Sequence, residues 1–269
     1  MNVLWIFAHP DQASLNGSLR DEGIAELAAD GHRVQLSDLY AMKWKSTVDS
    51  DDFADEGLSA DIVEEQEKLS WADAVVVQFP LWWYGMPAIL KGWFDRVFVK
   101  GYAYGVRDPR EPRRSLRYGE GKLAGKRALV VVTSGSPEAP LGPRGINGQL
   151  DEVLFPLLHG TLWYTGMPVL PPVAVYGADR IDADGYRAAA ALVRERVAAI
   201  GCTEPIAFRY QNTGDYDESL VLRPELAPGG SGLGVHRAGP GTSRPEPGQA
   251  GRGDGYRPDP GSAHRRKQR

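Results

Sequence analysis

Three short segments each follow directly on a predicted β-strand: Ala8-His9-Pro10, Phe79-Pro80-Leu81-Trp82-Trp83-Tyr84-Gly85 and Thr133-Ser134-Gly135-Ser136. Strand ends that converge in this way make a ligand crevice in an open α/β sheet. The middle segment constrains the chain most. Three aromatic residues in a row beside Pro and Gly suit a wall for a flat heterocycle. A packed interior would have to bury several faces at once to hold them, because adjacent side chains of an extended chain point to opposite sides.

The surrounding pattern supplies the sheet. Val3–Ala8 is a continuous apolar run, as in a strand buried on both faces. A helix is predicted over Leu15–Ala29, stopped by Gly31. Arg33–Leu39 alternates apolar and polar residues and suits a peripheral strand. Trp44–Gly57 is polar and acidic and reads as a loop. A helix over Ser59–Trp71 has Ser59 as N-cap, with Leu58 and Val63 as a hydrophobic staple. Ala74–Phe79 is the third strand. Pro87 opens the next helix at the first-turn position that tolerates proline. Ile89, Leu90, Trp93, Phe94, Val97 and Phe98 form its apolar stripe, with Lys91 and Asp95 opposite. Trp93, Phe94 and Phe98 read as plain helix packing.

Arg107–Lys126 is a long basic connection rich in Gly and Pro, and long connections in compact domains are often functional. Ala128–Thr133 is the fourth strand and Gly135–Gly148 a loop. Pro156 should kink the helix through Leu154 and Leu158. Val173–Tyr176 is a fifth strand and Asp184–Ile200 a last helix. Strands alternating with helices imply a parallel sheet covered on both faces. The domain is expected to span residues 1–204, followed by an arm over 205–236. From Pro228 onward Gly, Pro and Arg dominate, and a disordered tail over 237–269 is expected.

Composition excludes several classes. The formal net charge of −4 argues against a general nucleic-acid binder. Cys202 is the only cysteine, which rules out an intrachain disulfide and makes a Cys-based metal site a poor reading. This fits a reducing cytoplasm. The apolar start Met1–Phe7 lacks a basic lead and a cleavage site, so it reads as a strand and not a signal peptide. No apolar run is long enough for membrane insertion.

The common nucleotide signatures are missing. Neither Gly-x-Gly-x-x-Gly nor Gly-x-x-x-x-Gly-Lys-Ser/Thr follows the first strand, and there is no Gly-x-Ser-x-Gly elbow. Instead His9–Ser18 is a polar loop that runs into a helix N-terminus, where free N–H groups favour phosphate. Ser14, Asn16 and Ser18 add side-chain donors. A crevice between strands one, three and four matches a doubly wound five-stranded α/β sheet of order 2-1-3-4-5, with a ligand at the switch point.

The stretch Leu58–Gln66, continuing through Gln78-Phe79-Pro80-Leu81-Trp82-Trp83-Tyr84-Gly85-Met86-Pro87 to Phe98, resembles the flavodoxin-like NAD(P)H:quinone oxidoreductases, the DT-diaphorase group. The resemblance runs from Val3 to about Ile200. It implies a flavodoxin-like fold and a bound flavin, FAD with FMN as alternative. His9, Leu15, Asn16 and Ser18 match its pyrophosphate and ribityl loop. Pro80, Leu81, Trp82, Trp83 and Tyr84 match the isoalloxazine wall. Thr133, Ser134, Gly135 and Ser136 match the loop under the pyrimidine edge. Tyr104 matches a substrate-pocket tyrosine, and Tyr164 an aromatic reaching the partner subunit's pocket. NAD(P)H as donor, a flat quinone-like acceptor and a homodimer with shared active sites are implied with them.

The chain departs from that pattern on the Gly-rich loop. Where the best-known members carry a tyrosine and a histidine near the reduced flavin, this chain has Leu141 and Asn147. Either catalysis is slower, or backbone N–H groups of Thr133–Ser136 and the Asn147 amide take over. Asn147 could equally brace its own loop. Two other functions stay open: a reductase of azo, nitro or pathway-specific quinoid compounds, and a regulatory flavoprotein subunit of a potassium-efflux transporter.

Overall fold

The computed structural model describes residues 1–53 and 57–239. Five parallel strands form one sheet in the order β2-β1-β3-β4-β5. They are β1 (Asn2–Phe7), β2 (Arg33–Asp38), β3 (Ala74–Pro80), β4 (Arg127–Ser134) and β5 (Val173–Tyr176). The chain therefore has the flavodoxin-like doubly wound architecture expected of it. Alternation along the strands sorts the core into two layers. Val3, Trp5, Phe7, Val76, Leu129 and Val131 face α1 (Leu15–Ala29) and α6 (Ala183–Ala198). Leu4, Ile6, Val75, Val77, Phe79 and Val130 face α2 (Ala60–Trp71) and α3 (Ala88–Val97).

Helix boundaries follow local chemistry. Pro87 is the N-cap of α3 and not its first helical residue, since its backbone is extended (ψ 145°) while its carbonyl accepts from Leu90 and Lys91 N–H. Ser59 makes no side-chain cap bond, because its hydroxyl is turned to Asp61 and Arg96. Leu58 and Val63 remain exposed, so no buried staple forms there. The Trp44–Gly57 loop contains a 3-10 turn, Ser50–Phe53, and residues 54–56 lie outside the described part. Trp93 and Phe94 pack edge to face at 5.1 Å, as the stripe predicted.

Pro156 does more than kink its helix. It splits the segment into α4 (Leu150–Val153), α5 (Phe155–Leu157) and a π-helical turn over Leu158–Trp163. Proline has no N–H to continue the ladder, and wider spacing follows: Tyr164 N–H reaches back to the His159 carbonyl at 3.0 Å. The C-terminal arm clasps this turn. Trp163 Nε1 donates to the Arg209 carbonyl at 3.2 Å. The buried Arg209 donates to Asp215 at 2.7 Å and to the Val235 and Leu226 carbonyls.

The expected loss of order at Pro228 is not what the structure shows. Leu233–His236 form a 3-10 turn, Arg237 pairs with Asp151 at 3.0 Å and Ala238 N–H donates to the Ala207 carbonyl at 2.7 Å. Composition misleads here, because a docked segment borrows its core from the domain beneath it. The remainder of the expected tail, 240–269, lies outside the described residues. No helix among the described residues is long and apolar enough to cross a membrane.

Two predictions follow from the buried polar groups. Glu65 is fully buried between Ser37 Oγ (3.0 Å), Lys68 Nζ (2.7 Å) and Trp93 Nε1 (2.7 Å), tying α2 to β2 and α3. Glu65→Ala strands the Ser37 hydroxyl and the Trp93 indole N–H and leaves Lys68 with Glu64 alone, and should cost roughly 3–5 kcal/mol of stability in urea unfolding. Burial, and then the nearby His236, push the His159 imidazole down to about 4. Burial and Arg209 lower His236 as well. The unfolded chain binds these protons more readily, so this stabilisation is full above about pH 6.5 and drains away as pH falls toward about 4. Thermal melts of the parent should show that loss, and melts of His159→Phe should show less of it.

Candidate active site

The crevice lies where β1, β3 and β4 end. Gln78 interrupts the apolar run of β3 and is fully buried. Its side-chain oxygen accepts from Trp5 Nε1 on β1 at 2.9 Å, and its amide donates to the Asn16 carbonyl at 2.8 Å. The Asn16 side-chain amide donates to Thr133 Oγ1 on β4 at 2.9 Å. One relay thus fixes two strands, a helix start and a third strand in register. Leu81 N–H adds a bond to the Thr133 carbonyl at 2.8 Å, directly beyond the Pro80–Thr133 pair.

The first loop ends in a capped helix. Ser14 Oγ accepts from Gly17 N–H at 3.2 Å, and Ser18 N–H bonds to the Ser14 carbonyl. Gly17 is required, since an added Cβ would lie 2.0 Å from the Gln12 carbonyl oxygen. First-turn N–H groups, those of Leu15 and Asn16 among them, lack intrahelical acceptors and attract an anion. Asn16 is buried and its Oδ1 has no partner. His9 holds its own loop, accepting from Asp11 N–H at 3.1 Å, and its ring stands 6.2 Å from that of Trp82.

The second loop is a tight turn that the sequence reading missed. Trp82 and Gly85 exchange both backbone bonds at 3.0 Å. Trp83 and Tyr84 between them have φ of 49° and 60°. That is a type I′ turn, whose central positions ordinarily take Asn-Gly. Left-handed backbone costs a residue with a Cβ roughly 1–2 kcal/mol. Such strain concentrates at ligand sites, where the surroundings hold it in place. The turn leaves Trp83 97% exposed and Tyr84 52% exposed, while Pro80 is buried and Leu81 half-buried.

The third loop is braced from behind. Thr133 and Ser134 are buried, and Ser136 N–H donates to Ser134 Oγ at 3.1 Å. Asn147 Nδ2 donates to Ser136 Oγ at 3.1 Å, while Leu141 is buried in the core. Asn147 therefore braces the loop through Ser136, and Leu141 offers nothing polar. Gly135 allows the Asp179 carboxylate to approach, since an added Cβ would meet its oxygen at 2.3 Å.

These features fit a flavin. The unpartnered Asn16 Oδ1 can accept from a ribityl hydroxyl, the α1 start suits phosphate, and the exposed rings suit a tricyclic face. Tyr104 and Tyr164 meet elsewhere, in a cleft of about 400 Å³ shared with Met86, Phe94, Phe98 and Leu157. None of the three loop segments at the ends of β1, β3 and β4 lines that cleft. Phe94 and Phe98 pack edge to face on each other at 5.1 Å, and they also line this cleft. No group of three or more potential metal-binding side chains occurs among the described residues.

Comparison with known proteins agrees with this geometry. Residues 1–197 match the family model described as a flavodoxin-like fold. The ribosyldihydronicotinamide dehydrogenase-like protein traD of Penicillium crustosum is 43% identical over 257 residues, covering 88% of this chain and 95% of its own. The chain belongs to the flavodoxin-like NAD(P)H:quinone oxidoreductases. The guinea-pig (Cavia porcellus) NAD(P)H dehydrogenase [quinone] 1 is 31% identical over 83% of this chain and 86% of its own. A solved candidate quinone reductase from Klebsiella pneumoniae superposes with TM-score 0.84 at 51% identity, covering 88% of this chain and all of that one.

Within the quinone oxidoreductase fold, the strained turn gives a prediction with opposite signs. The double variant Trp83→Asn, Tyr84→Gly places favoured residues in the I′ turn and removes little packing at Trp83. The ligand-free protein should gain about 1 kcal/mol in urea unfolding. Titration with FMN or FAD should show at least tenfold weaker binding.

Proposed function

We propose that this chain is a flavin-dependent NAD(P)H:quinone oxidoreductase, working by two-electron ping-pong hydride transfer to a quinone or similar flat acceptor. The observation that carries the reading is the crevice itself. A strained, solvent-facing aromatic turn follows β3, and that strand is tied through Gln78 to Asn16, whose buried side-chain oxygen has no partner at a helix N-terminus. The flavin would be FAD, with FMN as alternative, and the enzyme cytoplasmic. The separation of the Tyr104–Tyr164 cleft from the flavin loops favours a homodimer, in which one subunit's cleft completes the other's crevice.

When bound, a flavin would supply the two-electron hydride chemistry between NAD(P)H and the quinone. The chain's own groups set the geometry. The α1 start would hold phosphate, Asn16 would orient the ribityl chain, and Trp83 and Tyr84 would border the ring. Thr133–Ser136 present their loop to the pyrimidine edge, where donors fixed in advance stabilise developing negative charge without reorganisation. Tyr104 and Tyr164 sandwich the acceptor. With Leu141 and Asn147 in place of a tyrosine and histidine, a charged-group hydrogen bond worth roughly 1.5–3 kcal/mol is absent, which slows transfer by about 10- to 100-fold but does not abolish it.

The decisive measurement is a visible spectrum of purified protein, identification of the released cofactor, and anaerobic addition of NADH or NADPH. Bleaching by either nucleotide, then recovery of the yellow band with benzoquinone, is the expected result. A flavin that neither nucleotide bleaches would overturn the enzyme reading, and binding to a membrane transporter with negligible turnover would replace it with the regulatory one. Asn147→Ala should slow bleaching about fivefold in stopped flow, the cost of about 1 kcal/mol for one lost brace.

A further inference from the structure

His159 is a buried titratable side chain that the mechanism above does not use. It lies in the π-helical turn, with Nε2 buried and without a hydrogen-bond partner. Its ring stacks on Phe155 (4.6 Å, 17°) and on Tyr118 (5.0 Å, 29°), with Phe208 edge-on at 5.0 Å and His236 at 5.6 Å. Tyr118 then meets Tyr164 edge to face at 5.1 Å. The backbone repeats the connection: Tyr118 N–H donates to the Tyr164 carbonyl, and Tyr164 N–H to the His159 carbonyl, both at 3.0 Å. His159 is therefore joined to Tyr164 both through a ring stack and through the chain.

The groups around this ring come from three elements. The connection supplies Tyr118, whose hydroxyl burial pushes upward. The arm supplies His236, hydrogen-bonded at Nδ1 to Tyr216 OH at 2.9 Å, with Arg209 and its partner Asp215 behind. The Arg237–Asp151 pair closes the edge, with Arg237 over Phe208 at 5.8 Å. A phenyl ring would fill the same stack without leaving a polar atom unpaired, and an unpaired buried group in a native interior calls for an explanation.

We infer that His159 is a positioning residue for Tyr164: its imidazole, wedged between Phe155 and Tyr118, sets the Tyr118 ring and so holds Tyr164 against the quinone-like acceptor. This rests on the reading of the Tyr104–Tyr164 cleft as the acceptor site. The stack favours an uncharged ring, because burial disfavours the imidazolium and a proton on the neighbouring His236 would oppose a second one. In acid the imidazole takes a proton, leaves the stack and releases Tyr164. Acceptor affinity is then lost while the flavin crevice, built on other strands, keeps its form.

The test uses the flavin-loaded protein with His159→Ala and His159→Phe variants. Anthraquinone-2-sulfonate is titrated without donor by tryptophan quenching between pH 3.5 and 8, and NADPH bleaching is timed separately. His159→Ala should weaken quinone binding at least tenfold at pH 7.5 and leave the bleaching rate within twofold. His159→Phe should bind like the parent at pH 7.5 and lose at least threefold less affinity than the parent in acid. Unchanged quinone binding in His159→Ala, or an identical acid loss in His159→Phe, would overturn the inference. So would a parent that binds no quinone. Should the alanine variant not fold, the phenylalanine variant decides alone. A parent that binds the quinone but is not bleached by NADH or NADPH would refute the reductase reading and leave this comparison intact.

Discussion

One buried amide organises the crevice. Gln78 sits where every neighbour on β3 is apolar, and both ends of its side chain are engaged, by the Trp5 indole and the Asn16 carbonyl. A polar group in such a place is stable only when fully partnered. That requirement locks β1 against β3 and pins the start of α1 over both. Asn16 then passes the constraint to β4 through Thr133. The three loops meet because this relay admits few other registers.

Around it the two-layer core supplies stability and the loops carry the strain. The I′ turn at Trp83–Tyr84 hangs from β3, itself buried along its whole length. A rigid strand of this kind can hold an unfavourable turn in place. The other end of the molecule works differently. There Pro156 breaks a helix, a π-helical turn follows, and an arm rich in side-chain-to-backbone bonds covers the break.

Much of the fold was legible because periodicity reports local burial. Val3–Ala8 and Ala74–Phe79 announce a parallel sheet, and the strand order follows from where the polar loops fall. What stayed hidden was non-local. Gln78 within Val-Val-Val-Gln-Phe could have been flagged as a buried polar group, but its partners lie 62 and 73 positions away. The left-handed turn was masked by its residues, since two large aromatics carry none of the Asn-Gly signal such turns show. The arm beyond Pro228 looked like a tail because composition counts what a segment carries and not what it docks against. The resemblance gave Tyr104 to a substrate pocket and Tyr164 to the pocket of the partner subunit, and within one chain both residues line the same cleft. It could not show that His159 underlies the second of them.

The outward indole of Trp83 has a further consequence. A tryptophan in water at full stretch forgoes the burial of about 150–250 Å² of surface, roughly 4–6 kcal/mol of cohesion. Whatever flat molecule settles on it recovers part of that, and so acts as a solubiliser as well as a ligand. Stripped of such a cover, the protein would carry an adhesive spot on its rim, and chaperones or sister molecules would compete for it.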